Sequence, residues 1–189
     1  MNSGQSFLVI GAFIILSTLT LNVNATLINT SSTGLEMEAT LDAVSIAQTL
    51  MDEILTRDFD QNTVGGIRVY SPNDMTRSSD LGVDGSESIV GDHGVDTSST
   101  GKFESKSKFN DVDDYKGYHR RAWNPRFGWF DVSASVCYVD EDDPDNGPTH
   151  RSFYKRVTIT VTQQNLVKDM NNNVIPYVVQ DLAVYRRYF

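Results

Sequence analysis

A single cysteine, Cys137, stands among the 189 residues, which excludes an intrachain disulfide and a cysteine-built zinc site. It lies in the alternating run FDVSASVCYV, where a thiol packs as a small hydrophobe. A basic stripe is also missing: 16 Lys and Arg face 25 Asp and Glu, a formal charge of −9. Arg120–Arg121 and Arg186–Arg187 are isolated pairs. Phosphate binding needs clustered cations, so nucleic acid is not an expected partner. The three histidines, His93, His119 and His150, show no metal-pair spacing such as i, i+4. Asp92 adjoins His93 in GDHG, but no nucleophile motif accompanies them. No G-x-S-x-G, phosphate-cradling glycine loop or H-E-x-x-H occurs. The chain reads as non-enzymatic.

Charge is lacking altogether from Met1 to Leu35. As a helix, Ser6 to Val23 would reach about 27 Å, close to the hydrocarbon thickness of a bilayer. That run exceeds the usual signal-peptide core. Val23-Asn24-Ala25 nonetheless has the small-residue look of a signal-peptidase site. Three readings stand: a cleaved secretory signal, a membrane anchor, or a helix that packs against copies of itself. With only the α-amino group of Met1 on one side, flanking charge sets orientation weakly. Glu36, the first acid beyond the core, favours a C-terminal part outside the cytoplasm.

Residues 35–60 are amphipathic. Ala39, Ala43, Ile46, Ala47, Leu50, Ile54 and Leu55 recur there at helical spacing and form one apolar stripe. Glu36, Glu38 and Asp42 lie in the first turns of this helix and Arg57 near its end, as the helix dipole favours. The polar stretch NTSSTG at 29–34 would break or loosen the join between the apolar core and this helix. Residues 61–102, rich in Gly, Ser, Asp and Thr, read as a long mobile loop in which only GIRVY (66–70) resembles a strand.

Beyond the loop, WFDVSASVCYV (129–139) and SFYKRVTITVTQ (152–163) alternate apolar and polar residues as half-buried strands do. The turn-rich DEDDPDNGPTH between them predicts an antiparallel hairpin. A third strand, YVVQDLAVYRRYF (177–189), comes after DMNNNVIP. The fold class expected is therefore α+β, a long N-terminal helix covering a small antiparallel meander at 103–189. In RRAWNPRFGWF (120–130), Trp123, Phe127, Trp129 and Phe130 gather around Pro125 and Gly128. They read as core with cation–π packing, or as a surface for a partner or sugar.

Two acid clusters are the only candidates for an ion. Asp111, Asp113 and Asp114 crowd in NDVDDY, and Asp140, Glu141, Asp142, Asp143 and Asp145 in DEDDPDN. Crowded carboxylates repel unless solvated or bound to a hard cation such as calcium, and neither run has EF-hand spacing. The other reading is structural: the acids of DVDDYKGY cap or pair with His119-Arg120-Arg121 while Tyr115 and Tyr118 pack under the sheet. No other cofactor is expected.

An apolar helix continuing into an Ala-striped one, then a variable loop and an antiparallel meander, resembles the architecture of type IV pilins and pseudopilins. Gly4 resembles the glycine after which prepilin peptidases cut. SIAQTLMDEILTRDFD (45–60) resembles the helix of minor pilins. FNDVDDYKGY (109–118) is similar to a stretch in MSHA-type minor pilins, and YKRVTITVT (154–162) resembles the strand after it. The resemblance implies a leader of residues 1–4, cleavage before Gln5, and a 5–60 helix whose segment 6–23 is first membrane span and then filament core. Phe7, Leu8, Val9, Ile10, Phe13, Ile14 and Leu16 would make that core. It further implies prepilin peptidase and other pilin subunits, self or sister, as partners. Residence in the bacterial inner membrane with a periplasmic globular part would precede a surface filament or pseudopilus. Some pseudopilins hold calcium in sheet-edge loops. Two departures stand out: no Lys or Arg precedes Gly4, and Val9 occupies the fifth mature position, where many members carry Glu. Within the family, that absence suggests a minor, initiating or tip-proximal subunit. The rival expectation is a secreted or membrane-anchored ligand-binding domain.

Overall fold

The computed structural model describes residues 3–85, 87–89, 91, 94–146 and 150–186. Helix α1 runs over Ser3–Leu55, 53 residues, and the chain divides into two units, Met1–Glu38 and Ala39–Phe189. The polar stretch at 29–34 does not interrupt α1. Within it, Thr33 Oγ1 donates to the Asn29 carbonyl at 3.0 Å, as earlier in α1 Thr26 does to Asn22 at 2.9 Å and Thr20 to Leu16 at 2.8 Å. A hydroxyl bonded to the i−4 carbonyl no longer competes for the backbone, so the helix persists.

In the second unit α1 buries Ala39, Ala43, Ala47, Leu50, Met51, Glu53 and Ile54. The three alanines are wholly buried, which allows close approach of the facing elements. Ile46 is only partly buried and Leu55 is exposed. The helix stops at Leu55 rather than continuing to 60, because the next residues are drawn into other pairings. The Asp58 amide donates to the Asn110 carbonyl at 3.2 Å, and Val112 donates to the Asp58 carbonyl at 2.9 Å. Asp60 then caps the 3-10 turn Gln61–Gly66 through a reciprocal bond with Thr63.

The segment expected as a loop carries more structure than its composition suggests. GIRVY is no strand: Gly65 and Gly66 adopt φ of 74° and 82°, and Val69 donates its amide to the Tyr185 hydroxyl at 2.9 Å. A short strand β1, Val95–Ser98, lies further on, and a single turn, α2, covers Ser105–Lys108.

Strands β2 (His119–Asn124), β3 (Gly128–Tyr138), β4 (Tyr154–Thr162) and β5 (Tyr177–Val184) complete the sheet. The spatial order is β1-β2-β3-β4-β5. From β2 onward every neighbour pairs antiparallel, as the meander expectation holds, while β1 joins β2 in parallel. Neither β1 nor β2 is expected from the sequence pattern. Residues 120–130, which read as an aromatic cluster, are in fact a hairpin. Asn124 Oδ1 accepts the amides of Arg126 at 2.8 Å and Phe127 at 3.2 Å, and Gly128 takes a φ of 81°. Trp123 and Trp129 face each other across it, ring centroids 5.0 Å apart.

The inner face of the sheet arises from the two-residue period of a strand. Phe130, Val132, Ala134, Val136 and Tyr138 on β3, and Val157, Ile159 and Val161 on β4, point one way and are buried. They join Leu50 and Ile54 of α1 with Phe109, Val112 and Tyr115 in one core.

Candidate functional site

Two features stand apart from an ordinary apolar core: the uncharged opening of α1, and a set of buried charges in the globular unit. In the opening, every large apolar side chain from Phe7 to Ile28 is exposed, Phe7 at 74 % and Val9 at 47 % of full accessibility. Leu8, Ile10, Phe13, Ile14 and Leu16 are exposed likewise. Soluble proteins do not leave a contiguous apolar surface of this size to water. The helix is long and apolar enough to cross a membrane. Gly4 and Gln5 lie in its first turn.

The first buried charge is Glu53, close to the end of α1. Its Oε2 lies 3.1 Å from Nη1 of Arg120, which is 2 % exposed. Its Oε1 accepts hydrogen bonds from Ser105 Oγ at 2.6 Å and the Tyr115 hydroxyl at 2.9 Å. Arg120 also donates to the Ile46 carbonyl at 3.3 Å and stacks 4.4 Å from the Phe103 ring. A buried ion pair persists only with such additional bonds. Burial first, then the Glu53 charge, raises the Tyr115 hydroxyl above its ordinary pKa, so the phenol remains a donor.

The second centre is Lys155, fully buried on β4. Its Nζ reaches Asp113 Oδ1 at 2.8 Å, Asp60 Oδ2 at 3.0 Å and the Phe59 carbonyl at 2.7 Å. Asp60 also accepts the Tyr138 hydroxyl at 2.9 Å and the Thr76 amide at 3.1 Å. Burial opposes ionisation of Asp60, but the Lys155 charge and hydrogen bonds from Lys155, the Asn62 amide and the Tyr138 hydroxyl outweigh it and hold the carboxyl below its ordinary pKa.

The cluster Asp111, Asp113 and Asp114 is brought together but divided in its tasks. Asp113 belongs to Lys155. Asp111 Oδ1 accepts the amides of Asp113 at 2.8 Å and Asp114 at 3.2 Å. Asp114 Oδ2 accepts those of Asn110 at 2.9 Å and Asp111 at 3.2 Å. Burial, then the hydrogen bond and charge of Asp113, pushes Asp111 up to about 9, so it is neutral at pH 7. Burial also pushes Asp114 up to about 7, against its two backbone donors and with the Glu87 charge adding to the rise. The expected pairing of these acids with His119-Arg120-Arg121 is not made: Arg120 turns to Glu53, Arg121 to Asp131 at 2.5 Å, and His119 is exposed. Tyr115 and Tyr118 do pack in the core, in edge-to-face contact with Phe109.

The second acid run stays at the surface. Asp142 and Asp145 are exposed, and Asp140 lies 3.0 Å from Nε2 of His150. Asp92 and His93 fall outside the described residues. Among the described residues, no three His, Cys, Asp or Glu side chains converge as a metal-ligand set. Cys137 is half-buried, 3.7 Å from Nη2 of Arg156.

Glu53 and Lys155 are the functional-looking residues that sequence reasoning missed. Both sit in phase with the buried face of their element, where a charged side chain is not expected, and their partners are 67 and 95 residues away. The one available signal was Lys155 itself, a cation in phase with the buried residues of YKRVTITVT. Compared with protein-family models, curated proteins and solved structures, the chain matches none.

Proposed function

We propose that the chain is a non-enzymatic structural subunit of a filament of the type IV pilus or type II secretion pseudopilus kind. Prepilin peptidase cleaves after Gly4, and residues 6–23 hold the subunit in the inner membrane until it assembles. The same segment then packs laterally with copies of the chain or with sister pilins. The absence of an acid at Val9 fits a minor subunit. The globular unit, from Ala39, is periplasmic first and lies on the filament surface afterwards.

The observation that carries this reading is the change of character along one helix. Residues 7–28 expose every large apolar side chain, whereas the Ala39–Ala43–Ala47 stripe further on is fully buried against the sheet unit. A signal peptide would be discarded and needs no such continuation. An anchor for a soluble domain needs a linker, not an unbroken α1. Cell fractionation tests the reading: the native protein should copurify with sheared surface filaments or with an envelope secretion assembly. Recovery only as a soluble or membrane-anchored monomer, under conditions where such filaments form, contradicts it.

A further inference from the structure

We propose that Lys155 and Asp113 join in an intramolecular amide bond, Nζ to Cγ, which the folded chain forms on itself with loss of one water. The contact is already in place: Nζ lies 2.8 Å from Asp113 Oδ1, and the two side chains are buried, at 0 % and 2 % exposure. That separation brings the amine close to the ~3–3.5 Å reach at which held groups react, where orientation stands in for a very high local concentration. Aromatic rings wall the pair: Nζ stands 4.5 Å from the centroid of Phe59 and 5.1 Å from that of Tyr138. A water-excluding site of this kind favours condensation, because the water released goes to bulk and does not return to cleave the amide. The bond also removes two charges from the interior, where each is costly to keep.

Two further carboxyls in contact with the pair carry the protons. Asp60 Oδ2 is 3.0 Å from Nζ and takes one ammonium proton, which frees the amine lone pair to attack Asp113 Cγ. The Asp111 carboxyl is in hydrogen-bond contact with that of Asp113 and is held neutral at pH 7, by burial first and then by Asp113 itself. It gives its proton to the Asp113 oxygen that departs. That C–O bond breaks as a second N–H proton leaves with the oxygen, so the products are one amide and one water. One proton remains with Asp60 or Asp111, as at the start, and no oxidant or other reagent is consumed. The third N–H stays on the amide, directed to the Phe59 carbonyl 2.7 Å away. Asp113 rather than Asp60 is the partner because Asp60 is committed elsewhere: Asn62, Thr76 and Tyr138 all donate to it. Those donors remain to Asp60 after the bond forms. The link ties β4 to the turn at Asp113–Tyr115, 42 residues away, in a chain whose single cysteine gives it no internal disulfide.

The test is the intact mass of the purified full chain in detergent, read beside its own N-terminal peptide so that processing is accounted for. The chain should be lighter than its sequence requires by one water, about 18 Da. A tryptic digest should yield residues 109–116 joined to 152–156, with Lys155 uncut. Lys155→Arg and Asp113→Ala should each restore the full mass, and the parent chain should run ahead of both on a denaturing gel. Asp111→Asn keeps that side chain neutral but has no acidic proton to give, so the rate of linkage after synthesis should fall about 100-fold. The parent chain decides by itself if a variant does not fold: a parent of full mass overturns the bond. A mass loss that survives Lys155→Arg, or a digest that joins Lys155 to Asp60, overturns it as well. Undiminished linkage in Asp111→Asn overturns the part given to that carboxyl.

Discussion

Glu53 and Arg120 show at the scale of single residues how little tolerance the interior has. Each is buried, and each is the other's charge partner at 3.1 Å. Removing one leaves the other charged in a low-dielectric site, a loss of about 3–5 kcal/mol. Glu53→Ala should therefore lower the melting temperature of the globular unit sharply. The pair Glu53→Met with Arg120→Met should recover most of the loss, since a matched apolar pair needs no counter-charge. A double-mutant thermal melt reads both. Asp60 sets the response to acid. Its folded-state pKa lies below the ordinary 3.8, so the unfolded chain takes up the proton first. Its contribution to stability is complete above about pH 5 and is lost as the pH falls through 4 and below. Asp60→Asn should flatten that part of a pH-stability curve, measured by urea unfolding. An unchanged acid limb would mean that Asp60 does not set it.

At the scale of elements, α1 docks through small residues and the β2–β3 hairpin depends on its turn. Ala43 is wholly buried, and Ala43→Leu would force overpacking worth about 1–3 kcal/mol. Gly128 holds a φ of 81°, a conformation costly for any side chain, so Gly128→Ala should destabilise by about 1 kcal/mol. Guanidinium unfolding measures both, and neutral outcomes would mean that the helix face or the hairpin is looser than described. These elements differ in how openly the sequence declares them. Strands β3, β4 and β5 alternate and so were readable. The Ala stripe was readable because its spacing repeats with the helical turn. β2 was not, because Arg120 occupies its inner face and an inward arginine breaks the expected alternation. Its turn was nonetheless written in Asn124, Pro125 and Gly128. β1 has four residues and gains its place only from parallel pairing with a strand well beyond it in the chain, as Val95 faces His119. Asp58 pairing with Asp111 ended α1 early, a long-range event that helical periodicity cannot register. The acid cluster was seen, but its division between Lys155, backbone amides and Glu87 depends on the folded chain.

At the scale of the whole molecule, one sequence carries two kinds of surface. The opening of α1 carries no charge and exposes its apolar side chains, while the globular unit buries its own and solvates a net negative surface. A charge placed in the first part should separate the two functions. Ile14→Asp costs about 2.5–3.5 kcal/mol on membrane insertion. It should release the protein from the membrane fraction and keep it out of filaments, with the melting temperature of the globular unit unchanged. Assembly of this kind requires that the opening segment be retained as a packing helix rather than removed as a signal. Intact-mass and N-terminal peptide mass spectrometry of the native protein reads that directly. The expected product is a mature chain beginning at Gln5, its new amine methylated, with residues 6–23 still attached. A mature chain beginning at Thr26 would contradict the proposed filament subunit.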